Sequence, residues 1–162
     1  MKKNLFIILF GVAVVAGLFL FYKYQIYEGG FVGDDSVVLK SGDYEKRNIV
    51  IEGQEILVEV ADTDAKRTLG LSGHSALADG EGMFFIFDKP HKYSFWMKEM
   101  LFPIDIIWIR EDFTIVDITE NAEPSSYPNL FTPREKALYV LEVSAGFANQ
   151  KELKIGDMVE ML

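Results

Sequence analysis

Apolar and polar positions alternate in short runs from residue 48 to the end of the chain. Ile56, Val58 and Val60 lie at every second position, which is the period of a strand with one buried face. An apolar run precedes them, and Glu52-Gly53-Gln54 separates the two runs. This pattern predicts a β-hairpin over Asn48–Ala61.

Further strands are predicted where apolar residues run together between turn signals. Gly82–Phe87 and Ile104–Ile109 are apolar on both faces apart from Asp105, which is typical of strands buried on both sides. Additional strands are predicted over Thr114–Thr119, Ala137–Ser144 and Met158–Leu162.

Helix signals are few. Asp62, Thr63 or Asp64 can cap a helix through Ala65–Leu69, and Ser144 can cap a short one through Ala145–Lys151. The predicted fold class is therefore mainly β (α+β), a compact barrel-like antiparallel sheet with one or two short helices.

The N-terminus has a different pattern. Leu5–Tyr22 is a run of 18 residues without charge, long enough for a helix of about 27 Å that crosses a bilayer. Lys2 and Lys3 precede it and favour an N-terminus inside the cell. We expect a membrane anchor over residues 1–22, a flexible spacer over 23–47 and one domain over 48–162 outside the cytoplasm. A cleaved signal peptide is the alternative, although no Ala-x-Ala cleavage site is present.

Composition narrows the function classes. The chain has no cysteine, which excludes disulfides, thiolate metal sites and thiol nucleophiles. From Asn48 onward, 10 Lys and Arg face 20 Asp and Glu, a net charge of −10. An acidic domain repels nucleic acid, so we expect no nucleic-acid partner.

The densest group of candidate side chains is Phe95–Asp105. Trp96 offers a flat ring and an indole donor, Lys98 a cation and Asp105 a carboxylate inside an apolar strand. We expect these three to converge on a small polar ligand, with Met97 packed beneath. Ordinary packing is the competing interpretation, in which Trp96 is core and backbone donors satisfy Asp105.

Glu142 is the second acid in an apolar strand, and it is expected to line the far wall of the site. Asp105 and Glu142 together could act as a glycosidase-like acid pair, a weaker hypothesis than binding. His74 and His91 lie in predicted loops, where exposure is more expected than a zinc site. No cofactor motif is present.

Several motifs occur in an order that resembles a known family: Gly-Met-Phe-Phe-Ile-Phe at 82–87, Phe-Trp-Met-Lys at 95–98, Pro-Ile-Asp-Ile at 103–106, Val-Leu-Glu-Val at 140–143, Gly146 and Ile-Gly-Asp at 155–157. The chain is similar to the domain of unknown function 192 family (DUF 192), small prokaryotic proteins commonly exported or membrane-anchored. The resemblance spans roughly Glu55–Leu162 and implies a small, mostly β, barrel-like domain with no assigned activity. The chain departs from the family pattern at Glu99-Met100, where Asn-Thr is usual, and at Ser72, where Met often stands.

Taken together, the sequence predicts an uncharacterised membrane-tethered extracytoplasmic domain that binds a small polar ligand, with a saccharide as one candidate. The expected site comprises Trp96, Met97, Lys98, Pro103, Asp105 and Glu142. An enzyme is less expected than a binding protein. A third hypothesis is an envelope interaction module that uses the proline-containing loop Asn121–Lys136.

Overall fold

The computed structural model describes residues 44–162. The predicted anchor and nearly all of the predicted spacer lie outside these residues. Within residues 44–162, no helix has the length and apolar character needed to span a membrane.

Seven strands, two short α-helices and one 3-10 turn make up the described chain. In order they are β1 (Glu45–Ile51), β2 (Gln54–Ala61), α1 (Asp64–Leu69), β3 (Glu81–His91), β4 (Ile104–Ile109), β5 (Ile115–Ala122), the 3-10 turn (Pro124–Ser126), β6 (Ala137–Ser144), α2 (Phe147–Gln150) and β7 (Val159–Met161). The strands form a single sheet in the order β5-β4-β6-β3-β2-β1-β7. The prediction of a mainly β domain with short helices is confirmed.

The sheet curls until its two outer strands meet at one end. Ile115 at the start of β5 donates to the carbonyl of Asp157 (2.8 Å) and accepts from Gly156 (2.9 Å), and Val159 of β7 donates to Phe113 (2.9 Å). These bonds cover one end of each edge strand, so the sheet is a half-barrel.

One strand pair departs from the prediction of an antiparallel sheet. β2 and β3 are parallel, whereas every other pair among the described strands is antiparallel. Parallel neighbours need a crossover connection. Here α1 and the turns that follow it supply that connection.

Local sequence explains the turns that were predicted. Glu52 and Gly53 both have positive φ (46° and 71°), the conformation of the two-residue turn that matches strand twist. Thr63 caps α1, because its Oγ1 accepts a hydrogen bond from the Lys66 N–H at 3.3 Å. The predicted hairpin and the first helix are thus confirmed.

Two apolar cores lie on the two faces of the sheet. The first core takes residues from all seven strands, including Ile49, Phe84 and Ile107, and encloses Ala148 of α2. The second core takes alternate residues of the central strands, including Phe85 and Trp108, and is covered by Leu71 and other residues from connecting segments. The central strands are therefore apolar on both faces, as their sequences predict.

Candidate functional site

A cavity of about 460 Å³ opens on the second-core side of the sheet. We call it the Glu142 cavity. Its walls come from α1, from Phe85 and Phe87 of β3, and from the segment Tyr93–Trp96 that follows β3. Glu142 of β6 also lines it. The cavity therefore lies where a helix, a strand end and a connecting segment meet.

Glu142 is the chemically unusual residue of this cavity. It is 5% exposed, and no hydrogen bond or ion pair joins its carboxyl to any residue that the structure describes. Its neighbours across the sheet are Met83 of β3 and Ile106 of β4, which are both apolar and fully buried. Burial raises the pKa of Glu142 to about 8. The carboxyl is consequently neutral in most molecules at neutral pH.

Aromatic rings form much of the cavity wall. Phe87 and Tyr93 are stacked with ring centroids 3.5 Å apart, and Phe85 meets the edge of Phe95 at 5.0 Å. Trp96 is 51% exposed, and its ring meets the edge of the Tyr127 ring with the two centroids 6.0 Å apart. Exposed aromatic surface beside a cavity is typical of ligand sites. Trp96 is thus an open part of the wall rather than a core residue.

The loop Asn121–Lys136 is held against the segment Tyr93–Trp96 that forms part of the cavity wall. Phe131 and Phe95 exchange two backbone hydrogen bonds, at 2.9 and 2.8 Å. Asp117 of β5 holds the end of the same loop, because it accepts from the backbone and guanidinium of Arg134 at 2.7 to 3.0 Å. Burial raises the pKa of Asp117, but its bonds to Arg134 and to backbone N–H groups outweigh that and hold it below its usual value. Sequence inspection missed this pair, which is distant in the chain.

Four of the six residues expected at the site do not line the cavity: Met97, Lys98, Pro103 and Asp105. Lys98 is about half exposed, with its amine 6.0 Å from the Trp96 ring centre and 3.9 Å from Glu99. Met97 is 1% exposed and belongs to the second core. The Pro103 carbonyl accepts from the Ala145 N–H at 3.2 Å, which helps to position the turn before α2.

The expected convergence of Trp96, Lys98 and Asp105 is wrong, because Asp105 is bound to backbone groups away from the cavity. Its carboxylate accepts three backbone N–H bonds, from Asn121 (2.8 Å), Gly146 (3.2 Å) and Ala148 (2.8 Å). Two of these donors belong to the start of α2, so Asp105 takes the capping role that was predicted for Ser144. The N-cap residue of α2 is Gly146, which has no side chain that could accept a hydrogen bond.

The same geometry separates Asp105 from Glu142. Asp105 lies opposite Val143 across the β4–β6 ladder, and Glu142 lies opposite Ile106. Paired residues share a face of the sheet and adjacent residues take opposite faces. The two carboxyls therefore point to opposite sides, so they do not flank a common bond as a glycosidase pair would.

One of the two histidines differs from the expectation of exposure, and His91 is the last residue of β3 rather than part of a loop. His91 is exposed, but His74 is largely buried and its Nε2 lies 3.5 Å from Glu59 Oε2. Neither of these two atoms has a hydrogen-bond partner. Among residues 44–162, no group of three or more His, Asp or Glu residues could hold a metal ion.

Comparison with known proteins gives one family and two similar structures. The DUF192 family model, described as "Uncharacterized ACR", matches residues 47–161. A crystal structure of a proposed transcription regulator from Sinorhizobium meliloti is 31% identical, with 75% of this chain and 98% of that chain covered and a TM-score of 0.71. A protein of unknown function from Novosphingobium aromaticivorans is 28% identical, with 82% and 99% covered and a TM-score of 0.69. No curated protein matches the chain.

Proposed function

Because this chain belongs to the DUF192 family, whose description names no activity, we propose a function from its cavity: it binds a small polar ligand over Glu142 and against Trp96. The family match confirms the resemblance seen in the sequence. In this proposal the domain is tethered outside the cytoplasm by residues 5–22, as the lysines before that segment favour.

The observation that carries the proposal is the unpartnered carboxyl of Glu142. Most polar side chains in folded proteins have hydrogen-bond partners. Within residues 44–162, the fully buried side-chain atoms without one are Glu59 Oε2 and His74 Nε2, whereas the carboxyl oxygens of Glu142 reach the cavity. Glu142 has no hydrogen-bond partner among the described residues, yet it lines a cavity that opens to solvent. A ligand in that cavity would supply the missing partner.

The size and lining of the cavity support the same proposal. About 460 Å³ falls within the range of ~300–1,000 Å³ that is usual for small-molecule sites. Such sites combine aromatic walls with a few polar groups, as the rings around Glu142 do. Trp96 is exposed enough to stack on a flat ligand face, and a saccharide ring is one candidate for that contact.

The binding proposal is tested by replacing Trp96. We expect Trp96→Ala to weaken binding of a ligand found by screening at least tenfold, because it removes the exposed stacking surface. The free energy of unfolding should change by less than about 1 kcal/mol, as is usual for half-exposed residues. Calorimetric titration and urea denaturation measure the two quantities.

Trp96→Phe is the matched control, because it keeps an aromatic face and should retain most of the affinity. Loss of several kcal/mol of stability in Trp96→Ala, with unchanged ligand affinity, would assign Trp96 to packing and count against the proposal.

A protein-interaction role for the loop Asn121–Lys136 is a second candidate. Tyr127 and Leu130 are 46% and 60% exposed, and both lie on this loop. Exposed apolar side chains that lie close together can mark a docking surface. A Tyr127→Ser, Leu130→Ser double variant leaves Phe131 and Arg134 in place. It should lose an envelope partner captured by cross-linking in cells, and undiminished capture would count against the candidate.

A further inference from the structure

We infer that the ligand of the Glu142 cavity carries an organic cation, an amine or quaternary ammonium group, which binds among the aromatic rings and pairs with the Glu142 carboxylate. This inference rests on the proposed binding function and adds the charge class of the ligand. It is carried by the aromatic walls, by the charge balance of the lining residues and by the unpartnered acid.

The aromatic walls suit a cation. The face of an aromatic ring carries partial negative charge and attracts ammonium and guanidinium groups within about 6 Å. Two of the cavity rings already have such neighbours, since the Arg67 guanidinium carbon lies 5.4 Å from the centre of Phe87 and the Lys98 amine 6.0 Å from Trp96. Phe85 and Phe95 add further ring surface beside Glu142.

The charge balance of the lining also favours a cation. Arg67 is occupied, because it donates to Asp64 (2.6 Å) and to the carbonyls of Ile86 (2.6 Å) and Asp62 (2.9 Å). Asp88 and Lys89 are adjacent and exposed at the end of β3. The described lining thus holds three acids, Asp64, Asp88 and Glu142, against two cations, Arg67 and Lys89, and one of those cations is already paired with Asp64.

Other ligand classes fit this balance less well. An anion would be repelled by a charged Glu142, and the described lining offers it only the exposed Lys89, since Arg67 is already paired with Asp64. A neutral ligand such as a saccharide could stack on Trp96 and accept a hydrogen bond from the protonated acid, but it would not pair with the charged carboxylate. A cationic head uses both the acid and the rings.

Proton release should accompany binding of a cation. Burial raises the pKa of Glu142 to about 8, so the free protein holds the proton at pH 7. The titratable and charged groups that face the cavity beside it are Asp64 and Arg67 of α1, Asp88 and Lys89 of β3, and Tyr93. Because a cation favours the charged carboxylate, the proton leaves to solvent as the ligand binds, and affinity should rise roughly 50-fold from pH 6 to pH 8.

The test uses the full 162-residue chain in a choline-free detergent, titrated in a calorimeter with choline and with its uncharged isostere. In the isostere a tert-butyl group replaces the trimethylammonium group, so shape is kept and charge is lost. At pH 8 we expect choline to bind at least tenfold more tightly than the isostere. We also expect choline to bind more tightly at pH 8 than at pH 6. Titration at pH 7 in buffers of different ionisation enthalpy should show release of close to one proton per choline bound.

Glu142→Gln keeps the side-chain volume and removes the charge. We expect it to abolish proton release and lower choline affinity at pH 8 at least tenfold, while isostere affinity changes little. Glu120→Gln, at an exposed position of β5, is the control and should behave as the unmodified chain.

The possible failures are distinguishable. Equal binding of choline and the isostere without proton release, or binding of a neutral saccharide but not choline, would overturn the cation inference and leave the proposed function standing. If choline, the isostere and a panel of neutral saccharides all fail to bind, the proposed function fails together with the inference.

Discussion

Two buried acids on neighbouring strands have opposite surroundings. Asp105 of β4 is fully buried and accepts three backbone hydrogen bonds. Glu142 of β6 is 5% exposed and accepts none from the described residues. They occupy adjacent register positions on opposite faces of the sheet. Burial alone therefore does not separate an acid that stabilises the fold from one that is available to a ligand; hydrogen-bond partners do.

Asp105 acts as a connector between three parts of the chain. Its donors are Asn121, which has a positive φ of 51° near the end of β5, and Gly146 and Ala148 at the start of α2. Hydrogen bonds from backbone N–H groups to a carboxylate are shorter and stronger than those between neutral groups. The group is already saturated, so a ligand would have to displace bonds that the fold uses.

The largest predicted effect is that of Asp105→Ala. It leaves three backbone N–H groups without their acceptor inside the fold, and we expect a loss of about 3–5 kcal/mol in the free energy of unfolding. Urea denaturation of the variant and the unmodified chain measures the difference.

Asp105→Asn keeps one acceptor oxygen and should lose less stability than Asp105→Ala, which provides a readout if the alanine variant does not fold. A loss below about 1 kcal/mol in both variants would mean that Asp105 is not the structural acid described above.

The second prediction distinguishes Glu142 from Asp105 by the pH dependence of the free energy of unfolding. Burial raises the folded-state pKa of Glu142 to about 8 from its ordinary value of 4.5. Between these values the folded protein holds a proton that the unfolded chain has lost. Stability from this group is therefore full below pH 4.5 and is lost as pH rises towards 8. Between pH 5 and pH 8 the loss should be about 3 kcal/mol.

Glu142→Gln should lack this slope, so the difference in unfolding free energy between variant and unmodified chain isolates it. The lowered pKa values of Asp112 and Asp117 act in a different window, because their contributions are lost only as pH falls through the acid range. Parallel stability curves for the two proteins from pH 5 to pH 8 would contradict the raised pKa.

The smallest effect is predicted for Lys98→Ala. The side chain is about half exposed and its nearest partner is Glu99, itself exposed. Exposed pairs contribute about 0–1 kcal/mol, so we expect a change in stability below ~0.5 kcal/mol and little change in choline affinity. A tenfold or larger loss of affinity would restore Lys98 to the binding site.

Local patterns were enough to predict most elements of the fold. The β1–β2 hairpin, the Thr63 cap and the doubly apolar strands all follow from residues close together in sequence. The parallel β2–β3 pair could not be obtained in this way. It depends on which strand ends meet across a crossover, which is a property of the whole sheet.

The candidate site was predictable only in part. Trp96 and Glu142 were both singled out, and the structure brings them to one cavity. Asp105 was placed beside Trp96 because of closeness in sequence, but its face is set by the register of β4 against β6. The same long-range register hid the Asp117–Arg134 contact and the role of Asp105 at α2.

The most direct test of the account is an NMR titration of the side-chain carboxyl carbon of Glu142, assigned by its absence in Glu142→Gln. We predict a midpoint near pH 8 in the free protein and a lower midpoint with choline bound. A midpoint near 4.5 that choline does not move would contradict it, because Glu142 would then already have a partner or free access to water.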